Sequence, residues 1–280
     1  MHNSWVATFS NWDTFARVNA SQRWRKQSAA MGRAMTDAIV AEAQVERGMH
    51  VLDVASGTGE PAISIATLLD GTGRVVATDI SEGPLKVGKE RAGERKLSNI
   101  EFVPADVHQL PFSDGEFHRV TSRLGVMFFQ DLPRALREVW RVLKPGGRAS
   151  LLAWGGMEQP YFKTTLGTIL RLLPELTMPP SGARMFQFGK ANTLSAALRE
   201  AGFERVEEAE TQVPWNWPGT PEDLWEWFQE VTIPFKPLFE AIPGGRRAEV
   251  NTEVQAALAG CYDGEQVRFA ASIVLASATR

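Results

Sequence analysis

An α/β fold, with a mostly parallel sheet covered by helices on both faces, is predicted by three observations. Short apolar runs alternate with helix-periodic stretches from residue 49 to 154. Each early run ends in a glycine-rich or acidic turn, and the spacing leaves room for a helical crossover between successive strands. The 280 residues, 44% apolar and 22% charged, suffice for a full core.

In chain order, residues 21–47 read as a helix, because Met31, Ala34, Met35, Ala38 and Ile39 form an apolar stripe that stops before Gly48. Met49 to Ala55 fits a buried strand. Pro61 suits a helix start, and Ala62, Ile65, Ala66 and Leu69 repeat with helical spacing. Strands follow at 74–79, 100–103 and 117–122, with a polar helix over 82–97 between the first two. A helix over 132–143 ends at the turn Lys144-Pro-Gly-Gly147, and 148–154 is the next strand. Beyond it, a helix over 193–201 and strands at 203–209 and 267–276 return to the core pattern. The expected organisation is a helical cap over 1–48, a core of 49–155 with 193–210 and 267–280, and a lid from 156–192 and 211–266.

Composition narrows the function. Thirty Lys and Arg against 33 Asp and Glu give a net charge of −3, which argues against a nucleic-acid partner. The single cysteine, Cys261, rules out a disulfide framework, and no Cys-rich metal site is expected. The longest apolar stretch, Phe269 to Ala278, is too short for a membrane span, and the first residues lack a signal-peptide pattern. A cytoplasmic protein acting on small molecules is the expectation; the sequence specifies no oligomeric state.

Gly57-Thr-Gly59-Glu-Pro-Ala62, with Asp79 downstream, satisfies the glycine fingerprint of dinucleotide sites. Its physics is shared by other nucleosides: glycines admit close backbone approach, and an acid at the second strand end accepts ribose hydroxyls. Asp53 lies inside the strand ahead of the loop, where a carboxylate would repel a pyrophosphate and attract an ammonium group. Asp106, after the third strand, offers an acceptor for an adenine amino group, and Ile80 offers an apolar face to a purine. Acids at 53, 79 and 106 fit a zwitterionic nucleoside without phosphate, such as S-adenosylmethionine.

Four segments then carry a resemblance: Val51-Leu-Asp-Val-Ala-Ser-Gly-Thr-Gly-Glu60, Val76-Ala-Thr-Asp-Ile-Ser81, Ala105-Asp-Val-His-Gln-Leu-Pro-Phe112 and Arg141-Val-Leu-Lys-Pro-Gly-Gly147. The chain resembles class I S-adenosylmethionine-dependent methyltransferases, in the group similar to ubiquinone/menaquinone-biosynthesis methyltransferases. The resemblance implies a Rossmann-like sheet of seven strands with the last antiparallel. It places Asp53 with Ala55, Ser56, Gly57 and Gly59 around the methionine part, Asp79 at the ribose, Asp106 and Val107 at the adenine, and Arg123 beside the methionine moiety. At Ala55-Ser56-Gly57 the loop departs from the family, which often carries an extra glycine.

Methyl transfer from a sulfonium needs alignment and a dry pocket more than proton chemistry. Aromatic residues from 5–24 and 211–230 are expected to supply that pocket, with Trp24, Met127, Phe128, Trp154, Trp215 and Trp217 as named candidates. His108 is the one histidine expected near the cleft and thus a weak candidate base. The expected activity is methyl transfer to a small aromatic or quinone-like acceptor. An NAD(P)-dependent oxidoreductase and a non-catalytic methyltransferase-like binding module are the alternatives.

Overall fold

The computed structural model describes residues 15–280. Expectations for residues 1–14, including the first aromatic residues of the cap, lie outside the described residues. Within them, the helix expected over 21–47 is three: α1 (Phe15–Arg23), α2 (Arg25–Met31) and α3 (Arg33–Ala43). One break falls at Gly32, where a β-carbon would lie 2.8 Å from Arg123 Nη1 and 3.2 Å from the Ser28 carbonyl oxygen, so a larger residue there would have to displace the guanidinium end of Arg123.

The core follows the alternation read from sequence. Strands β1 (His50–Val54), β2 (Arg74–Asp79), β3 (Ile100–Pro104), β4 (Phe117–Arg123), β5 (Leu143–Trp154), β6 (Glu204–Pro214) and β7 (Ala270–Thr279) form one sheet, ordered β3-β2-β1-β4-β5-β7-β6 among the described residues. β1 to β5 pair in parallel, and β7 is antiparallel to both β5 and β6. Helix α4 (Ala62–Leu69) buries Ala62, Ile65, Ala66 and Leu69 against Val51, Val75 and Ala77. Leu52, Val54 and Val76 face the opposite, larger core. Helix α5 (Glu82–Glu94) joins β2 to β3. Helix α6 (Leu132–Val142) is capped by Asp131, whose carboxylate accepts the Arg134 amide at 3.0 Å, and it buries Ala135, Leu136, Val139 and Val142.

Three boundaries differ from expectation. Lys144-Pro-Gly-Gly147 is an irregularity within β5, which already pairs through Leu143 with Phe117 before the register shifts. β6 runs on to Pro214, into the segment read as insert, because β7 offers it a continuous partner. β7 itself starts at Ala270; Val267 pairs separately with Trp217 and Tyr262.

The remaining segments are mostly helical. Helix α7 (Thr193–Glu200) lies before β6, while α8 (Pro221–Val231) and α9 (Arg247–Ala259) follow it. Thr220 caps α8 by accepting the Asp223 amide at 3.2 Å, and Glu222 and Asp223 complement the helix dipole in its first turn. The cap docks on α8 through rings: the Trp24 and Trp217 centroids are 5.5 Å apart, and those of Trp217 and Trp227 are 5.2 Å apart. Arg23 adds a bidentate contact to Glu226 at 2.6 and 3.1 Å. Among the described residues, no helix is long and apolar enough to cross a membrane.

Candidate active site

A cleft of about 310 Å³ opens at the carboxyl ends of β1 to β4, where the sheet order reverses direction. The glycine loop after β1 forms its floor. Gly57 has φ +54° and open space where a β-carbon would stand, so its main chain is bare toward the cleft. Gly59 serves packing instead: a β-carbon there would meet Ile63 at 2.7 Å and the Gly88 backbone at 3.3 Å.

Several side chains hold this loop in shape. Asp79, at the tip of β2, accepts the Gly57 amide through one oxygen and the Ser81 amide through the other, each at 2.9 Å. Arg91 of α5 donates to the Thr58 carbonyl at 2.5 Å and to Glu60 Oε1 at 3.0 Å. Glu60 also receives the Ser64 hydroxyl at 2.7 Å. Burial lowers the Arg91 pKa, partly offset by Glu60.

The strand tips bring together most of the polar residues expected at the site. Ala55, Ser56, Gly57, Asp79, Ile80, Asp106, Val107 and Arg123 all line the cleft. Asp53 does not. It lies fully buried beneath the loop, with one oxygen accepting the Thr121 hydroxyl at 2.7 Å. Burial pushes its pKa up to about 7, against the opposing pull of Thr121, Arg123 and the Ala62 amide. A side chain facing inward from the middle of a parallel sheet cannot reach a ligand above the strand ends, and this corrects the expectation of direct contact. Gly59 likewise sits behind the loop surface.

His108 also lines the cleft, yet both its ring nitrogens are engaged. Nδ1 is 2.5 Å from Asp106 Oδ1, and Nε2 accepts the Asp131 amide at 3.2 Å. That arrangement assigns the neutral tautomer with its proton on Nδ1, and it makes His108 a brace between two loops.

The expected aromatic pocket is built differently. Of the six candidates, Phe128 lines the cleft, whereas Trp24, Met127, Trp154, Trp215 and Trp217 do not. Trp154 packs edge-on against Trp215 and Phe162, both with centroids 5.1 Å away. Met127 is fully buried under it. These residues fill the core because rings this large gain most from complete removal from water. The apolar wall is instead Leu124, Phe128, Phe129, Trp227 and Val231. Trp227 is oriented by donating its Nε1 proton to the Ser28 hydroxyl at 2.8 Å.

With this geometry in view, comparison decides the family. The model of the ubiE/COQ5 methyltransferase family matches residues 27–213. The chain belongs to the ubiE/COQ5 methyltransferase family. Its members here include the ubiquinone/menaquinone biosynthesis C-methyltransferase UbiE of Escherichia coli O139:H28 (strain E24377A / ETEC), 34% identical over 58% of this chain and 69% of that one. The UbiE protein of Shigella boydii serotype 18 (strain CDC 3083-94 / BS512) matches to the same extent. Among solved structures, the YcgJ protein of Bacillus subtilis superposes with a TM-score of 0.57 at 20% identity, covering 88% of this chain and 97% of that one. The [4+2]-cyclase SpnF gives 0.54 at 22% identity, covering 88% and 79%. At such identities the likeness shows the fold alone. Family membership makes the chain an S-adenosylmethionine-dependent methyltransferase and sets aside the dinucleotide reading of the loop.

Sequence reasoning did not single out Arg17, Arg25, Phe129 and Val231, read Arg91 only as part of a polar helix face, and held Trp227 only within the aromatic range 211–230; all six line the cleft. One signal was available for Trp227 and Val231: they stand three and seven residues after Leu224 on α8, in the same apolar stripe as Leu224 and Phe228, so periodicity marks the stripe but does not say which of its members meet the cleft.

Proposed function

We propose that this methyltransferase acts on a small aromatic or quinone-like acceptor held against the Leu124, Phe128, Phe129, Trp227 and Val231 wall. The carrying observation is the two-sided cleft: carboxylates and bare backbone on the strand-tip side, aromatic and aliphatic side chains on the other. The donor set fits the cofactor. Asp79 and Asp106 face the cleft with carboxylate oxygens for hydroxyl and amino donors, and the loop at Gly57 leaves space for a close ligand. In this reading Asp79 holds the ribose, Ile80, Asp106 and Val107 the adenine, and Ala55 to Gly57 the methionine part. Bound there, S-adenosylmethionine supplies an electrophilic methyl group on a positively charged sulfur.

The chain contributes by orienting and drying. The Trp227 ring, fixed through Ser28, and the Phe128 ring set the acceptor plane, and alignment of this kind accounts for up to about 7–11 kcal/mol in ideal cases. Exclusion of water by the apolar wall favours a reaction in which charge is neutralised. Because His108 is committed through both ring nitrogens, the acceptor must ionise readily or react as neutral carbon. The test is incubation with methyl-labelled cofactor and a panel of hydroquinones, naphthols and aliphatic amines, read by mass spectrometry. Label on a ring carbon or phenolic oxygen supports the reading; label on the amines alone would overturn it.

A further inference from the structure

The cap gives the aromatic side of the cleft a strip of its own. Arg17, Ser21, Arg25, Ser28 and Ala29 line it, and none of the five is an acid or a large apolar residue. The first four follow one another at intervals of four, four and three residues, so they share one helical face. The Ala20 carbonyl accepts the Trp24 amide and the Trp24 carbonyl the Ser28 amide, both at 2.9 Å, which carries that face across the join between α1 and α2.

A cap that closed only on a neutral ring would gain most from apolar side chains. This one presents two guanidinium groups. Arg17 is partly buried. Arg25 is anchored at one atom: its Nη1 donates to Glu94 of α5 at 2.6 Å, and its Nε and Nη2 have no hydrogen-bond partner among the described residues. Both side chains of that pair are well exposed, so it holds Arg25 weakly. A third cation, Arg91, adjoins them. Burial is the main cause of its lowered pKa, Glu60 opposes it, and Arg95 and Arg25 lower it further, so positive charge accumulates at this mouth. The acids of the cleft do not answer that charge: Asp79 and Asp106 belong to the strand-tip side, and Glu60 is taken by Arg91 and Ser64.

Ser28 relates this charge to the acceptor wall. Its hydroxyl accepts the Trp227 Nε1 proton at 2.8 Å, and Arg25 stands one turn earlier on the same face, with β-carbons about 5–6 Å apart. We propose that the methyl acceptor carries an anionic substituent, a carboxylate or a phosphate ester, which Arg25 receives with Arg17 beside it while the ring lies against Trp227. The proposal rests on the acceptor wall described under the proposed function and names the class of ring that fits it. The Nε and Nη2 edge of Arg25 is a fork that meets two oxygens of either anion.

Calorimetry on the complex with S-adenosylhomocysteine compares two matched pairs of probes: 2-naphthol with 3-hydroxy-2-naphthoate, and hydroquinone with 4-hydroxyphenyl phosphate. Wild type should bind at least one anion about ten- to a hundredfold more tightly than its neutral parent, the range of charge-assisted hydrogen bonds, and the pair that responds tells carboxylate from phosphate. Arg25→Gln should lose most of that preference while binding the neutral parents and S-adenosylhomocysteine as before. Glu94→Gln is the second variant. It frees Arg25 from a competing carboxylate and should raise the affinity for the anion a few-fold. If the Arg25–Glu94 pair serves only to hold the cap shut, both variants will weaken every probe alike, and the proposal falls. It falls too if Arg25→Gln leaves the preference intact. Neutral parents that bind as well as the anions would overturn the proposal and leave the aromatic wall standing; if none of the four probes binds, the wall fails with it.

Discussion

The two walls of the cleft are made in opposite ways. On the strand-tip side, Asp79, Asp106 and the glycine loop each sit within a few residues of the strand that positions them, and backbone amides fix their carboxylates. On the other side, Trp227 of α8, Arg25 and Ser28 of α2, and Phe128 from the segment after β4 come from elements far apart in the chain, brought together by ring packing between cap and α8. One wall is a property of local chain geometry, the other of tertiary assembly. Variants on the two sides should therefore fail differently.

The largest effect is expected at Trp217, which is fully buried and touches both Trp24 and Trp227. Trp217→Ala should cost about 3–5 kcal/mol in urea unfolding. Folded protein at low denaturant should still bind S-adenosylhomocysteine within a few-fold of wild type. A large loss of binding without a loss of stability would erase the contrast between the walls.

Asp53 sharpens the comparison through pH. Its folded pKa of about 7 stands above the ordinary 3.8 because burial penalises the charged form. The folded chain keeps a proton there that the unfolded chain releases above about pH 4. This contribution to stability is full below that point and declines as pH rises to about 7, by up to about 1.4 kcal/mol per pH unit, then levels off. Asp53→Asn should flatten that slope in unfolding measured at about pH 5 and about pH 8. An unchanged slope would mean that another group titrates.

Asp79→Ala should weaken S-adenosylhomocysteine binding by about 1–3 kcal/mol, since it removes the acceptor for two loop amides as well as for the ligand. The smallest change is expected at His108. His108→Asn should alter methyl transfer less than about tenfold, whereas loss of a general base costs about 100-fold or more. A fall of that size would return His108 to the chemistry.

The strand-tip wall was legible because the alternation of short apolar runs and helices fixes where strands end, and chemistry placed at those ends follows. Asp53 shows the limit: sequence gives its position in the strand but not that its side chain points inward under the loop. The aromatic wall was legible only as a composition. Four tryptophans between 215 and 227 announce ring packing, yet Trp225 bonds Asn251 and fills the core while Trp227, two residues on, meets the cleft. Which ring faces which way depends on how α8 seats against the cap. The arginines of the cap and α5 were invisible for the same reason, and Gly32 could not be told from an ordinary helical glycine without the side chain of Arg123 beside it.

Edge strand β6 has one sheet neighbour, β7, and residues 215–269 separate the two in the chain. During synthesis β6 emerges well before anything can pair with it. Glu204, Glu207, Glu208 and Glu210 along its length make this waiting ribbon repel its own kind, so a strand that would invite aggregation stays solitary until β7 arrives.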